Sequence, residues 1–131
     1  METTPPTPIE MLMFEVAENL EALVARELAN IAQPPRGSIK DTGHYRLLQD
    51  AKLNRKQSEA LNRVLETLAY NVASTIFATL DGDVKTDFEN FPRLALVEQG
   101  STAPISESLR MAFTSRWDEE GDSELSHPHP D

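Results

Sequence analysis

The chain contains no cysteine, only five glycines, three histidines and a single tryptophan. Without cysteine there is no disulfide, no thiolate nucleophile and no Cys-ligated zinc. The glycines stand singly, so no phosphate-cradling loop or dinucleotide fingerprint can be assembled from them. His127 and His129 sit between prolines in the tail, and His44 follows a turn glycine. None has the oriented neighbour that a nucleophile–base pair needs, and two histidines in a tail fall short of a metal site. The longest run free of charge, TLAYNVASTIFATL, is interrupted by Thr, Asn and Ser and is too short to span a bilayer. The opening METTPPTP lacks the basic start and apolar run of a secretory signal. These absences lead to the expectation of a cytoplasmic protein that is not an enzyme, with no catalytic, cofactor-binding or metal-binding residues and no membrane partner.

What is present is acid. Twenty-two Asp and Glu against twelve Lys and Arg give a net charge of −10. The charge is uneven: residues 1–33 carry −5, 34–63 carry +4, 64–116 carry −3 and 117–131 carry −6. A surface of this sign repels phosphate backbones, which argues against nucleic acid as a partner. The basic run of Arg36, Lys40, Arg46, Lys52, Arg55, Lys56 and Arg63 reads as the solvated approach to a helix. A length of 131 residues suits one domain. The expected division is a flexible N-terminus at 1–7, one domain at 8–121, and a disordered acidic tail at 122–131.

Two helices are legible from caps and period. Thr7 caps the first, with Pro8 at its first position and Glu10 placed to close a capping box. Ile9, Leu12, Met13, Val16, Leu20, Leu23, Val24, Leu28 and Ile31 then form an apolar stripe, and QPPRG stops it. The predicted span is 8–32. Asn54 caps the second, with Gln57 three residues on, and the predicted span runs to Leu80. Its later half is apolar nearly all round, so cover is expected on more than one side, from the first helix and from the C-terminal third. Residues 33–53 hold an Asp-Thr-Gly turn signal and a short apolar group, and are expected to form an ordered connection containing a short strand or a single helical turn.

The stretch ATLDGDVKTDFEN at 78–90 is the one place that resembles a cation site. Asp81, Asp83, Asp87 and Glu89 fall on positions 1, 3, 7 and 9 of a calcium-loop template. Thr86 and Pro92 occupy the places that need Gly and a bidentate Glu, and Lys85 sits in the middle. Gly82 after an apolar helix is instead the mark of a left-handed helix stop. Acid–base work by paired carboxylates has as candidates Asp81 with Asp83, or Asp118 with Glu119 and Glu120. All sit in loops or at a helix end with no apolar pocket in view.

Beyond Gly82 the pattern predicts β structure. RLALVE at 93–98, a QG turn and STAPI at 101–105 are expected to pair, with Pro104 at an edge, and Val84, Thr86 and Phe88 alternate as a further short strand. Ser106 cues a final helix carrying Leu109, Ala112, Phe113 and Trp117 on one side and closing near Gly121. The expected fold is therefore α+β: a long antiparallel helical hairpin with a small antiparallel β ribbon and a short C-terminal helix.

The run LNRKQSEALNRVLETLAYNVASTIFATLDG, then RLALVEQG, then ISESLRMAFTSRW resembles a pattern of small uncharacterised bacterial proteins. In these a helix ending Leu-Asp-Gly leads to a short strand and a further helix, and some are immunity- or antitoxin-like. The resemblance covers residues 53–117, departs from the pattern at Arg110, where His is expected, and carries no active site. It implies a bacterial source and a binding role. Charge points the same way: an acidic module can steer toward and cap a basic protein partner. The expected contact residues are Glu15, Glu18 and Glu21 on the first helix, and Trp117, Asp118, Glu119 and Glu120 near the end of the last. The alternative is a structural or assembly protein acting as a helical homodimer, since Met11, Phe14 and Leu48 are left needing cover.

Overall fold

The computed structural model describes residues 4–125, with side chains as far as Asp118. Four α-helices follow one another: α1 (Pro8–Ala32), α2 (Ile39–Asp50), α3 (Arg55–Asp81) and α4 (Leu109–Leu125). They form two compact units, one of residues 19–69 and one holding α1 up to Glu18 together with everything from Tyr70 onward.

The α+β expectation is overturned, because the described residues contain no sheet. The ribbon shrinks to one isolated antiparallel bridge between Val97 and Pro104, with the Ile105 N–H donating to the Leu96 carbonyl at 2.9 Å. Two causes stand out. Pro104 has no N–H to extend a ladder. The Leu94 N–H is already spent on the Leu80 carbonyl, at 2.7 Å, at the end of α3. The alternation at Val84, Thr86 and Phe88 also fails to make a strand. There the Thr86 hydroxyl donates to the Phe88 carbonyl and the Phe91 N–H turns back to the same oxygen.

Local capping decides where α1 and α3 begin. The Glu10 N–H donates to the Thr7 hydroxyl, and that hydroxyl donates to the Glu10 carboxylate at 3.0 Å. Asn54 and Gln57 exchange bonds in both directions, at 2.8 and 2.9 Å.

In the unit of residues 19–69, the connection expected over 33–53 is a helix of twelve residues. Ser38 caps α2 by accepting from the Asp41 N–H, and its hydroxyl donates to the Asp41 carboxylate at 2.9 Å. The Asp-Thr-Gly signal thus falls inside a helix, where Gly43 costs about 1 kcal/mol relative to alanine. Tertiary bonds offset that cost: the Tyr45 hydroxyl donates to Glu27 at 2.7 Å, and the Gln49 amide donates to the Ala32 carbonyl at 3.0 Å. The Glu27 bond raises the Tyr45 pKa, and partial desolvation adds to the rise.

The second unit holds most of the core. Phe113 of α4 is fully buried, and its ring stands 5.4 Å from Phe77, 5.7 Å from Tyr70 and 5.8 Å from Trp117. Met13 and Ala17 of α1, Ala73 and Ala78 of α3, and Leu109 of α4 are buried in the same unit. The helix expected to close near Gly121 runs on to Leu125. Phe113→Ala is expected to destabilise the fold by about 3–5 kcal/mol in urea titration, through lost burial and the cavity left behind. Exposed Met111, two residues away on α4, is the internal control: Met111→Ala should stay within about 0.5 kcal/mol of wild type.

Candidate docking surface

The acidic stretch singled out in the sequence is a joint between two helices. α3 ends in a Schellman motif: Gly82 takes a φ of 77°, its N–H donates to the Thr79 carbonyl, and the Asp83 N–H donates to the Ala78 carbonyl at 2.9 Å. Asp81, the last residue of α3, is only 4% exposed and is aimed at the start of α4. Its Oδ1 accepts the Leu109 N–H at 3.0 Å, and its Oδ2 accepts the Arg110 N–H at 2.9 Å and the Ser108 hydroxyl at 3.2 Å. The two remaining donors of that helix start are met locally. The Met111 N–H goes to the Ser108 hydroxyl and the Ser108 N–H to the Ser106 hydroxyl. Every backbone donor that a helix leaves open at its N-terminus thus has an acceptor here.

Burial of the Asp81 carboxyl pushes its pKa up. The bonds from the Arg110 and Leu109 N–H groups, the Ser108 hydroxyl and the charge of Arg93 pull the other way, and the net result lies below the ordinary carboxylate value. A pocket of about 450 Å³ beside it is lined by Arg93, Leu94, Pro104 and Ser106 among others. The carboxylate bordering that pocket already accepts three hydrogen bonds, so its basicity is spent on holding α4. Among the described residues no group of three or more acidic or histidine side chains is arranged to hold a metal ion.

The expected contact residues are spread over two helices. Glu15, Glu18 and Glu21 are exposed on α1, and Asp118 is exposed on α4. Trp117 is half-buried and engaged with the rings of Tyr70 and Phe113 at 5.8 Å. Glu119 and Glu120 lie in α4, but their side chains fall outside those described; His127 and His129 lie outside the described residues altogether. Of the apolar residues expected to need cover, Met11 and Phe14 are exposed, and the Arg116 guanidinium stands 5.0 Å over the Phe14 ring. Leu48 is half-buried.

The surface feature that sequence reasoning did not isolate is the outward face of α3. Val64, Leu68, Val72 and Ile76 follow one another at steps of four, and they are 61%, 57%, 51% and 54% exposed. Gln57, Leu61, Asn71, Thr75 and Thr79 complete the face at steps of three and four, so it carries no charge from Gln57 to Thr79. The charged residues of α3, which are Arg55, Lys56, Glu59, Arg63, Glu66 and Asp81, all fall in the opposite half of the helical wheel. The signal was available: an all-round apolar segment has more faces than one intramolecular neighbour can cover.

No protein family, curated protein or solved structure matches the chain. Among the described residues no helix is long and apolar enough to cross a membrane.

Asp81→Ala strands two backbone donors in a buried setting and is expected to cost about 2–4 kcal/mol. Asp81→Asn keeps an acceptor and should cost less. The pH dependence has a definite sign. A carboxylate with a lowered folded pKa stabilises fully above its unfolded value of about 3.9, and that contribution fades as pH falls through the folded value. Urea midpoints between pH 6 and pH 2 should therefore fall more steeply for wild type than for Asp81→Asn.

Proposed function

We propose that this chain is a non-enzymatic protein-binding module that works by self-association, an assembly protein whose docking surface is the outward face of α3. The observation that carries this reading is the run of four apolar side chains, each more than half exposed, on a helix face without charge. Contiguous apolar surface of this kind is uncommon on a lone soluble chain unless something docks there. A second copy fits better than a basic partner, because a neutral face offers a basic protein nothing to recognise. Two chains of net charge −10 also repel at most orientations, so a charge-free face is where they can approach.

The inhibitor-like reading retains one supporting observation, the exposed acids Glu15, Glu18 and Asp118, which are free to steer a basic protein toward the surface. That contact would lie elsewhere than α3, and substituting Lys for Glu15 and Glu18 would slow it at low salt. The proposed compartment is the cytoplasm, in keeping with the absence of cysteine.

Light scattering of the full chain at micromolar concentration tests the main reading. Wild type is expected at twice the chain mass, and Leu68→Glu with Val72→Glu, which sets like charges on the face of both copies, at the chain mass with unchanged helical circular dichroism. A monomeric wild type, or a dimer indifferent to both substitutions, rules the reading out.

A further inference from the structure

We infer that the cleft beside the start of α4 binds a small organic acid, a carboxylate carried on a compact apolar body, with Arg93 as the group that recognises it. The cleft exists because the ribbon does not zip. The Ile105 N–H reaches the Leu96 carbonyl, and the next hydrogen-bonded rung of that ladder would join residue 94 to residue 107. Neither residue is available for it. The Leu94 N–H goes to the Leu80 carbonyl at 2.7 Å, and the Glu107 carbonyl accepts from the Arg93 guanidinium. The two segments part there and leave a cleft of about 450 Å³, with Leu94, Ala95, Pro104 and Leu109 as its apolar wall. That volume falls within the range of roughly 300–1,000 Å³ that suits small molecules.

The polar groups around the cleft select the ligand. Arg93 donates to one neutral carbonyl and makes no ion pair among the described residues. A guanidinium is a planar fork of N–H donors that matches both oxygens of a carboxylate. Anchored through one nitrogen, Arg93 keeps the rest of its fork for a ligand, and its exposure keeps it reachable. The Ser106 hydroxyl is taken, since it donates to the Ser108 carbonyl and accepts the Ser108 N–H.

Two acids border the same space, and neither makes it a cation site. Asp81 commits both carboxylate oxygens to the Ser108, Leu109 and Arg110 donors and is only 4% exposed. It offers an incoming amine no open acceptor. Glu107 is exposed, so water and salt screen its charge. A neutral apolar ligand would fill the wall but leave the guanidinium unused. The acid alone matches both features. These residues are not those of the outward face of α3, so the two readings stand or fall separately.

The test titrates 4-phenylbutyrate into the full chain at neutral pH, followed by amide magnetic resonance, with 4-phenylbutanol and 4-phenylbutylamine as neutral and cationic isosteres. The acid is expected to shift the Leu94, Ala95 and Glu107 amides along one saturating curve, at least tenfold tighter than either isostere. Arg93→Gln removes the charge but keeps an amide donor, and should bring the acid down to the level of the alcohol. Arg93→Lys should recover most of the affinity, and Glu107→Gln should tighten binding by about twofold. Melting temperatures check that each variant is folded. Should Arg93→Gln fold poorly, Leu94→Glu sets an acid in the wall beside an intact Arg93 and should abolish binding. Equal binding of acid and alcohol, a preference for the amine, or no saturable shift at the cleft would each overturn the inference.

Discussion

One carboxylate holds the end of α3 to the beginning of α4. Asp81 closes the first of these helices and caps the second, and at only 4% exposure it does so largely away from water. Its charge opposes the dipole of the helix it ends and favours the dipole of the helix it starts. The exchange is worthwhile because three donors converge on it and Arg93 lies close enough to lower its pKa further. The loop between the helices is fixed at the same place: Gly82 turns the chain, Asp83 and Leu94 return N–H groups to the last carbonyls of α3, and Arg93 donates to the Glu107 carbonyl. Leu109, the first residue of α4, is buried beside the carboxylate, and Phe113 one turn on is fully buried among the rings of Tyr70, Phe77 and Trp117. The aromatic core therefore depends on where α4 starts, and Asp81 decides that.

α3 divides its surface between two roles. On one side, Tyr70, Ala73 and Phe77 belong to the aromatic core. On the other, Val64, Leu68, Val72 and Ile76 remain in water. Leaving four large aliphatic side chains exposed forfeits roughly 25 cal/mol for each Å² of apolar surface left uncovered. Every charge of α3 falls on the opposite half of the wheel from that surface.

The parts of the fold that were legible in the sequence were those written in local chemistry. Thr7, Pro8 and Glu10 announced α1, Asn54 and Gln57 announced α3, and Gly82 marked its end as a left-handed stop rather than a calcium loop. The parts that were not legible depend on groups distant in the chain. α2 was obscured because Asp41 takes the place usually filled by Glu or Gln in a capping box, and because Gly43 mimics a turn. The β ribbon looked sound from residue types alone. It failed because the Leu94 N–H was claimed by Leu80 and Pro104 had none to give. The cap of α4 could not be read locally either, since its main acceptor lies 28 residues upstream of Leu109.

The central claim is tested most directly by carbon-detected nuclear magnetic resonance titration of the Asp81 carboxyl, followed together with the Leu109 and Arg110 amides. The account requires the carboxyl to titrate below the ordinary aspartate range, with both amide shifts moving along the same curve. A carboxyl that titrates at the ordinary value, with the two amides indifferent to it, would show that this joint is not what holds α4 in place.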